Sequence, residues 1–298
     1  MGILARLRRK LGLLDQIDAR LKRMQEALGR IESRQLSPAA PQSLQSYEFQ
    51  VYSQYGEDGI LQRLIRAVQV PRKVFVEFGV EDYSEANTRF LLSNENWAGL
   101  VIDGSAANIS RIAADPVYWR HNLKAVHAFV TRENINDLLR QNGLTGDIGL
   151  LSIDIDGNDY WVWEAIDAVK PGIVVAEYNW RFGPERRVTV PYDAAFVRQR
   201  AHYSMVYYGA SLAALEALGS RKGFDLVGCS SAGNNAFFVR RELRPAELRA
   251  VTARDAFRAG SFREARLPSG ALASLAPSDE INLLADLPLV EVPAAKAP

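Results

Sequence analysis

The chain has 298 residues, 48% hydrophobic and 24% charged, the balance of a globular protein with one large domain or two small ones. A formal net charge of +1 gives the whole molecule no strong pull toward nucleic acid or an anionic membrane, and the single cysteine, Cys229, excludes an intrachain disulfide framework and a cysteine-based zinc site. No apolar run is long enough to span a bilayer, and the basic N-terminus (Arg6, Arg8, Arg9, Lys10) carries neither an uninterrupted apolar stretch nor a small-residue cleavage site, so the expectation is a cytoplasmic protein without a signal peptide.

Residues 1–36 are predicted to form a separate amphipathic helix. Leu14, Ile17, Leu21, Met24, Leu28 and Ile31 recur at alternating spacings of three and four, which puts them on one helix face, and Leu7 and Leu11 extend it by a turn. Arg8, Arg9, Arg20, Lys22, Arg23, Arg30 and Arg34 occupy the opposite face. Three roles fit this pattern: a coiled coil that joins copies into a homo-oligomer, a basic helix in peripheral contact with an anionic membrane surface, or a helix packed on its own domain. Residues 37–46, with Ser37-Pro38-Ala39-Ala40-Pro41-Gln42-Ser43, read as a linker, because prolines and small polar residues build no core.

From residue 47 to 243 the pattern alternates. Strands are expected at Val74–Phe78, Ala98–Ile102, Ala125–Phe129, Gly149–Ile153 and Gly172–Glu177, and helices at Gly59–Val68, Ser84–Ser93, Asn108–Ala114, Arg132–Asn142 and Tyr160–Ala168. Such alternation implies an α/β fold with a doubly wound, mostly parallel, Rossmann-like sheet. Gly223–Cys229 and Asn235–Arg240, joined by the turn residues Ser230-Ser231-Ala232-Gly233-Asn234, are expected to form an antiparallel hairpin at the sheet edge. Residues 244–298 are a C-terminal extension rich in Ala, Pro and Arg, with no readable function, and Leu287–Pro298 is expected to be a mobile tail.

Three strand ends carry the chemistry, because open α/β sheets bind ligands beyond the carboxyl ends of their strands. The first, Val74-Phe75-Val76-Glu77-Phe78-Gly79, places Glu77 inside an apolar strand and Gly79 where a ligand can approach the backbone. It lacks the spacing of a dinucleotide fingerprint, and its acidic loop suits a cationic ligand group such as an amine or sulfonium. The second, Leu100-Val101-Ile102-Asp103, ends in an acid about two dozen positions after Gly79, the separation at which a carboxylate accepts hydrogen bonds from ribose hydroxyls. The third is Leu150-Leu151-Ser152-Ile153-Asp154-Ile155-Asp156-Gly157-Asn158-Asp159-Tyr160, followed on the next strand by Glu177 and Asn179. Neighbouring strands lie about 5 Å apart, so Asp154, Asp156, Glu177 and Asn179 can converge on one hard cation such as Mg²⁺ or Mn²⁺. Capping of the helix near Tyr160 is an equal use for Asn158 or Asp159, though not for Asp154 or Glu177. The histidines His121, His127 and His202 are too scattered for a metal site and read as structural, with His202 the one weak candidate for a general base. Trp161, Trp163, Tyr178 and Trp180 flank the expected pocket mouth, and Tyr207, Tyr208 and Ser211 precede a helix from which they can face substrate; core packing fits the aromatics as well.

Taken together, Val74–Gly79, Asp103, Asp154-x-Asp156, Glu177-Tyr178-Asn179 and the final hairpin resemble class I S-adenosylmethionine-dependent methyltransferases, in particular the FkbM-type enzymes of bacterial glycan clusters. Tyr52-Ser53-Gln54-Tyr55-Gly56-Glu57-Asp58-Gly59 is similar to the segment leading into their cofactor pocket. The resemblance, over about Tyr47 to Arg241, implies a seven-stranded sheet with a reversed terminal hairpin. It also implies S-adenosylmethionine held by Gln54, Gly56, Glu57, Asp58, Glu77, Gly79, Asp103 and Asp154, and a small-molecule or glycan acceptor methylated on a sugar hydroxyl. Asp154 through Tyr160 is similar to the Asp-x-Asp-x-x-x-Tyr stretch of metal-dependent catechol-type O-methyltransferases, which implies a metal-assisted reaction with Asp154 bound to the metal beside Glu177 and Asn179; Asp154 and Glu177 are then catalytic candidates, with His202 added only as the weak candidate for a base. Two departures are visible: Tyr178 separates the acid from the amide, and Val80-Glu81-Asp82-Tyr83 stands where the family has glycines. A metal-dependent glycosyltransferase, which also uses Asp-x-Asp after an apolar strand, and a catalytically silent scaffold recruited by the N-terminal helix are the alternatives.

Overall fold

Apolar runs that are buried on both sides become central strands, and here they form β1 (Val74–Phe78), β2 (Ala98–Asp103), β3 (Leu123–His127), β4 (Gly146–Ile153) and β5 (Val169–Glu177). The structure, a computed structural model, describes residues 3–36 and 43–294. A two-residue strand, β6 (Val188–Thr189), stands apart, and the chain returns to the sheet in the hairpin β7 (Phe224–Cys229) and β8 (Asn235–Arg240). The sheet order is β3-β2-β1-β4-β5-β8-β7, parallel except for β8, which is antiparallel to both neighbours. This is the doubly wound sheet with a reversed hairpin expected from sequence. Strand β3 lies two residues before the expected span, so Phe129 stands beyond the sheet.

Side-chain alternation divides the interior into two layers. Val76, Phe78, Ile102, Leu151, Ile153 and Val174 pack on one face against α6 (Ile135–Gln141), α7 (Asp159–Ala165) and α9 (Leu212–Arg221). Phe75, Val101, Leu150, Ile173 and Val175 pack on the other against α2 (Glu57–Ala67), α3 (Arg89–Glu95) and α4 (Ala106–Ala114). The chain goes to β2 from β1 and to β5 from β4, so the adjacent β1 and β4 flank the topological switch point. Helix α3 begins at Arg89 rather than Ser84, because residues 80–88 are drawn into a loop by Glu77.

A third apolar cluster joins the segment between β5 and α9 to the C-terminal extension. Phe182, Val188, Val190 and Val206 meet Ala265, Ala273 and Leu284 there. The extension is not a loose appendage: Val290–Glu291 forms β9, antiparallel to β6, and Tyr207 donates a hydrogen bond to the Pro288 carbonyl at 2.6 Å. The expectation of a mobile tail from Leu287 is therefore corrected for residues 287–294, which are held by these bonds, while 295–298 lie outside the described residues.

Helix α1 (Ile3–Gln35) spans most of the expected N-terminal unit. Its polar face docks on the domain: Tyr52 donates to Glu26 at 2.6 Å, Ser33 to Gln62 at 2.8 Å, and Gly29 lies under Val51 and Phe90. The opposite seam is left open, with Leu14, Ile17, Leu21, Met24, Leu28 and Ile31 each 45–61% exposed. The Leu7 and Leu11 side chains, and linker residues 37–42, lie outside the described residues. Residues 44–46 of the expected linker are docked, Gln45 donating to the Cys229 carbonyl at 2.7 Å. Among the described residues no helix is long and apolar enough to cross a membrane.

Candidate active site

The carboxyl ends of β1, β4 and β5 open into a cavity of about 430 Å³. A smaller hollow of about 160 Å³ adjoins it through Gly79 and Asp154 and runs toward Asp103, Phe129 and Phe196. Gly79 makes the junction. Its φ of +70° is a left-handed conformation, and a Cβ there would stand 1.7 Å from the Asp154 carbonyl oxygen. The loop that follows does without glycine: Glu81 and Tyr83 take φ of 48° and 63° themselves. Such strain persists only where the surroundings impose it. Glu81 N donates to Asp103 at 2.9 Å, the Tyr83 hydroxyl is hydrogen-bonded to Thr88 at 2.9 Å, and Arg89 donates to the Tyr83 carbonyl at 2.6 Å.

The β4–β5 register pairs Ile153 with Ala176, which sets Asp154 beside Glu177. Carboxylate oxygens of Asp154, Asp156 and Glu177 lie within 4.8 Å of one another. One Glu177 oxygen faces the Tyr208 hydroxyl at 3.4 Å, and the other is buried with no protein partner. Burial, then repulsion from Asp156 on Asp154 and from Asp154 on Glu177, pushes the pKa of both well above the carboxylate range. A buried, unpaired carboxylate oxygen among hard oxygen donors fits a divalent cation with room left for water and substrate. Arg198, on α8 (Arg198–Ala201), spans Asp156 and Glu264.

The sign of the pH dependence follows. A carboxyl whose folded pKa is raised contributes stability in acid and loses it as pH rises through the folded value. In EDTA, the melting temperature is expected to fall as pH rises above the ordinary carboxylate range, and Asp154→Asn should flatten that fall. Scanning fluorimetry across that rise checks this; an equal slope in the variant would assign the effect elsewhere.

The residues expected at the cofactor divide into two groups. Gly79, Asp154, Glu77 and Gln54 line the cavity, and Asp103 lines the adjoining hollow. Glu77 nevertheless spends its oxygens on the loop, accepting from Asn87 N at 2.9 Å, Thr88 N at 3.1 Å and Ser152 Oγ at 3.2 Å. Asp103 accepts from Glu81 N, Ser105 N and Asn108 Nδ2, which leaves it one lone-pair direction for a ligand. Gly56, Glu57 and Asp58 do not line either space. Gly56 turns the chain into α2 at φ 124°. Glu57 accepts from Tyr55 N and Asn235 Nδ2, and Asp58 gathers the N–H groups of Val51, Tyr52 and Ser53, so both organise the entering segment.

Two further expectations are corrected. Asn179 is turned away from the carboxylates: β5 ends at Glu177, and Asn179 caps the short 3-10 turn Trp180–Phe182, donating from Nδ2 to the carbonyls of Val206 and Tyr208. His202 lies outside the cavity lining, bonded to Ser204 at 2.6 Å and packed on Tyr203, and burial lowers its pKa. Asp159 accepts from Ile155 N and Gly157 N, holding the turn before α7. Trp163, Tyr178 and Trp180 are core residues, and Trp161 donates to the Val190 carbonyl, so these aromatics do not form the mouth. Tyr208 does reach the carboxylates, while Ser211 caps α9. The residues missed in sequence are Arg198, Glu264 and the stacked rings of Tyr55 and Phe262, centroids 5.5 Å apart, on the cavity wall. Of these only Tyr55 stood in a segment the sequence singled out, Tyr52 to Gly59, while Phe129 of the adjoining hollow was expected inside β3.

No family model matches the chain, and no curated protein matches it. Solved structures do. The N-terminal domain of EvdMO1 with SAH bound is 11% identical with a TM-score of 0.40, over 61% of this chain and 79% of that one. A putative caffeoyl-CoA O-methyltransferase from Staphylococcus aureus is 16% identical with a TM-score of 0.40, over 61% and 82%. An O-methyltransferase family protein from Burkholderia thailandensis is 11% identical with a TM-score of 0.35, over 69% and 59%. The chemistry of this chain rests on the side chains it brings to the cavity.

Proposed function

We propose that the chain is an S-adenosylmethionine-dependent O-methyltransferase, assisted by a divalent ion and acting on a sugar hydroxyl of a glycan or related glycoside in the cytoplasm. The observation that carries this reading is one crevice at the switch point. It is bordered by a Cβ-free glycine, a strand-end carboxylate with a free lone pair, and a carboxylate pair of which Glu177 is buried with an unpaired oxygen. Phe129 offers a face for the adenine ring, and Asp103 an acceptor for a ribose hydroxyl. Bound there, S-adenosylmethionine would supply an activated methyl group. Asp154, Asp156 and Glu177 would hold the ion, whose Lewis acidity lowers the pKa of a bound hydroxyl. A carboxylate oxygen of the cluster that does not hold the ion would take up the proton the hydroxyl gives up. Tyr55 and Phe262 give a sugar ring an aromatic wall. In this reading residues 47–243 carry the cofactor half of the site, 244–298 close its acceptor side, and 1–36 assemble a homo-oligomer through the open seam of α1.

Calorimetry with S-adenosylhomocysteine tests the cofactor half. We expect one site per chain, weakened at least roughly tenfold in Asp103→Ala, the loss of about 1.4 kcal/mol that one good hydrogen bond to a charged group is worth. No heat with the intact protein would sink the reading. Methyl transfer undiminished in EDTA would remove the ion from it.

A further inference from the structure

The carboxylate cluster already contains a cation of its own. Arg198 donates from Nη1 to Asp156 Oδ1 at 2.5 Å and from Nη2 to Glu264, and its guanidinium lies 3.8 Å over the ring of Tyr208. Its side chain is only 11% exposed, and its charge also acts on Asp154 and Glu177. Glu264 comes from the C-terminal extension and is itself fixed, by Arg181 Nη1 at 2.7 Å and the Tyr208 hydroxyl at 3.0 Å. Arg181 is fully enclosed and bound in turn to Glu280 at 2.5 Å. The place of Arg198 is thus dictated by a chain of alternating charges reaching away from the cavity. Asp156, the member it grips, has a left-handed φ of 56°, whereas Glu177 keeps a buried oxygen without a partner.

We propose that Arg198, anchored by Glu264, is the built-in counter-ion of this cluster and competes with a divalent cation for Asp156. The proposal rests on the metal reading above. A cation that takes Asp156 meets the guanidinium at close range. Its binding therefore requires Arg198 to give up Asp156 and lean on Glu264 alone. Asp154 and Glu177 are the carboxylates left free for the ion in the resting protein, and Arg198 weakens ion binding by occupying the third. The same contact stops the cluster from standing as an uncompensated group of like charges when no ion is bound.

Titration of Mn²⁺ into the full chain, followed by the electron paramagnetic resonance signal of the free ion, tests this. Arg198→Met should tighten Mn²⁺ binding on the order of tenfold, and Arg198→Lys should stay near the parent value. The decisive measurement is the double-mutant cycle with Asp156→Asn. In that background the gain from Arg198→Met should vanish, because there is no longer a shared partner. An equal gain in both backgrounds would reduce Arg198 to a distant charge and overturn the proposal, as would no gain at all. Calorimetry with S-adenosylhomocysteine on the same samples separates the two levels. A protein that binds the nucleoside but no Mn²⁺, with or without Arg198, overturns the metal reading together with this proposal. A parent that binds Mn²⁺ as tightly as Arg198→Met overturns the proposal alone. Should Arg198→Met fail to fold, as judged by circular dichroism, Arg198→Gln enters the same cycle.

Discussion

Gly79→Ala is expected to be the most damaging conservative substitution near the site. The new Cβ would be placed 1.7 Å from the Asp154 carbonyl oxygen, a backbone atom that can retreat only if β1 and β4 part at their ends. The φ of +70° adds a penalty of its own. Overpacking against backbone and a left-handed alanine together cost about 2–4 kcal/mol, which lowers the melting temperature by about 3–6 °C in a chain of this size. Nucleoside binding should fall further than stability alone requires, because Asp154 and Gly79 border both the cavity and the adjoining hollow. Thermal melts and S-adenosylhomocysteine calorimetry on the same preparation read the two effects. A variant with the parent's melting point and affinity would mean that the strand ends separate freely, and that the junction is not the rigid element described here.

The second large effect concerns assembly. The open seam of α1 repeats in heptads, with Leu14, Leu21 and Leu28 at one core position and Ile17, Met24 and Ile31 at the other. Six large apolar side chains in register, each about half exposed, form a patch that water does not tolerate on a monomer. Leucine at the first core position with isoleucine at the second favours three or four strands over two. The flanks carry both signs, Asp18 and Glu32 on one side and Arg20 and Arg34 on the other, which suits neighbouring copies of the same helix better than an anionic lipid surface. Sedimentation of the full chain should give three or four copies of the 33.1 kDa protein, and Leu21→Glu with Met24→Glu should give monomers that still bind nucleoside. A monomeric parent would refute the seam's role, and a monomer that floats with anionic vesicles would favour the lipid surface.

The parts of the fold that were legible share one property: their residues are buried on both sides of the sheet. β1, β7 and β8 fall where their apolar runs place them, and Asp154 and Glu177 stand out because an acid at the end of such a run has no packing use. The glycine-poor loop after β1 looked like a departure from the family. The backbone makes left-handed turns there regardless, Glu81 donating to Asp103 and Tyr83 accepting from Arg89, bonds that no local pattern announces. Asn179 misled because alternation sets it on the same side as Glu177, and alternation stops where the strand stops. Arg198 and Glu264 were invisible for a different reason: 66 residues separate them, and neither sits in an apolar frame that would mark its position.

That separation also has a consequence in time. Arg181 and Arg198 are synthesised 99 and 66 residues before Glu280 and Glu264 respectively, after five of the sheet's strands and before its closing hairpin. At ordinary elongation speeds the nascent chain spends about 3–20 s with its sheet forming and its two arginines still waiting for their carboxylates. The carboxylates at the strand ends are thus laid down early on a stiff sheet, and Glu264, the residue that anchors Arg198 beside them, is added only after that sheet's closing hairpin.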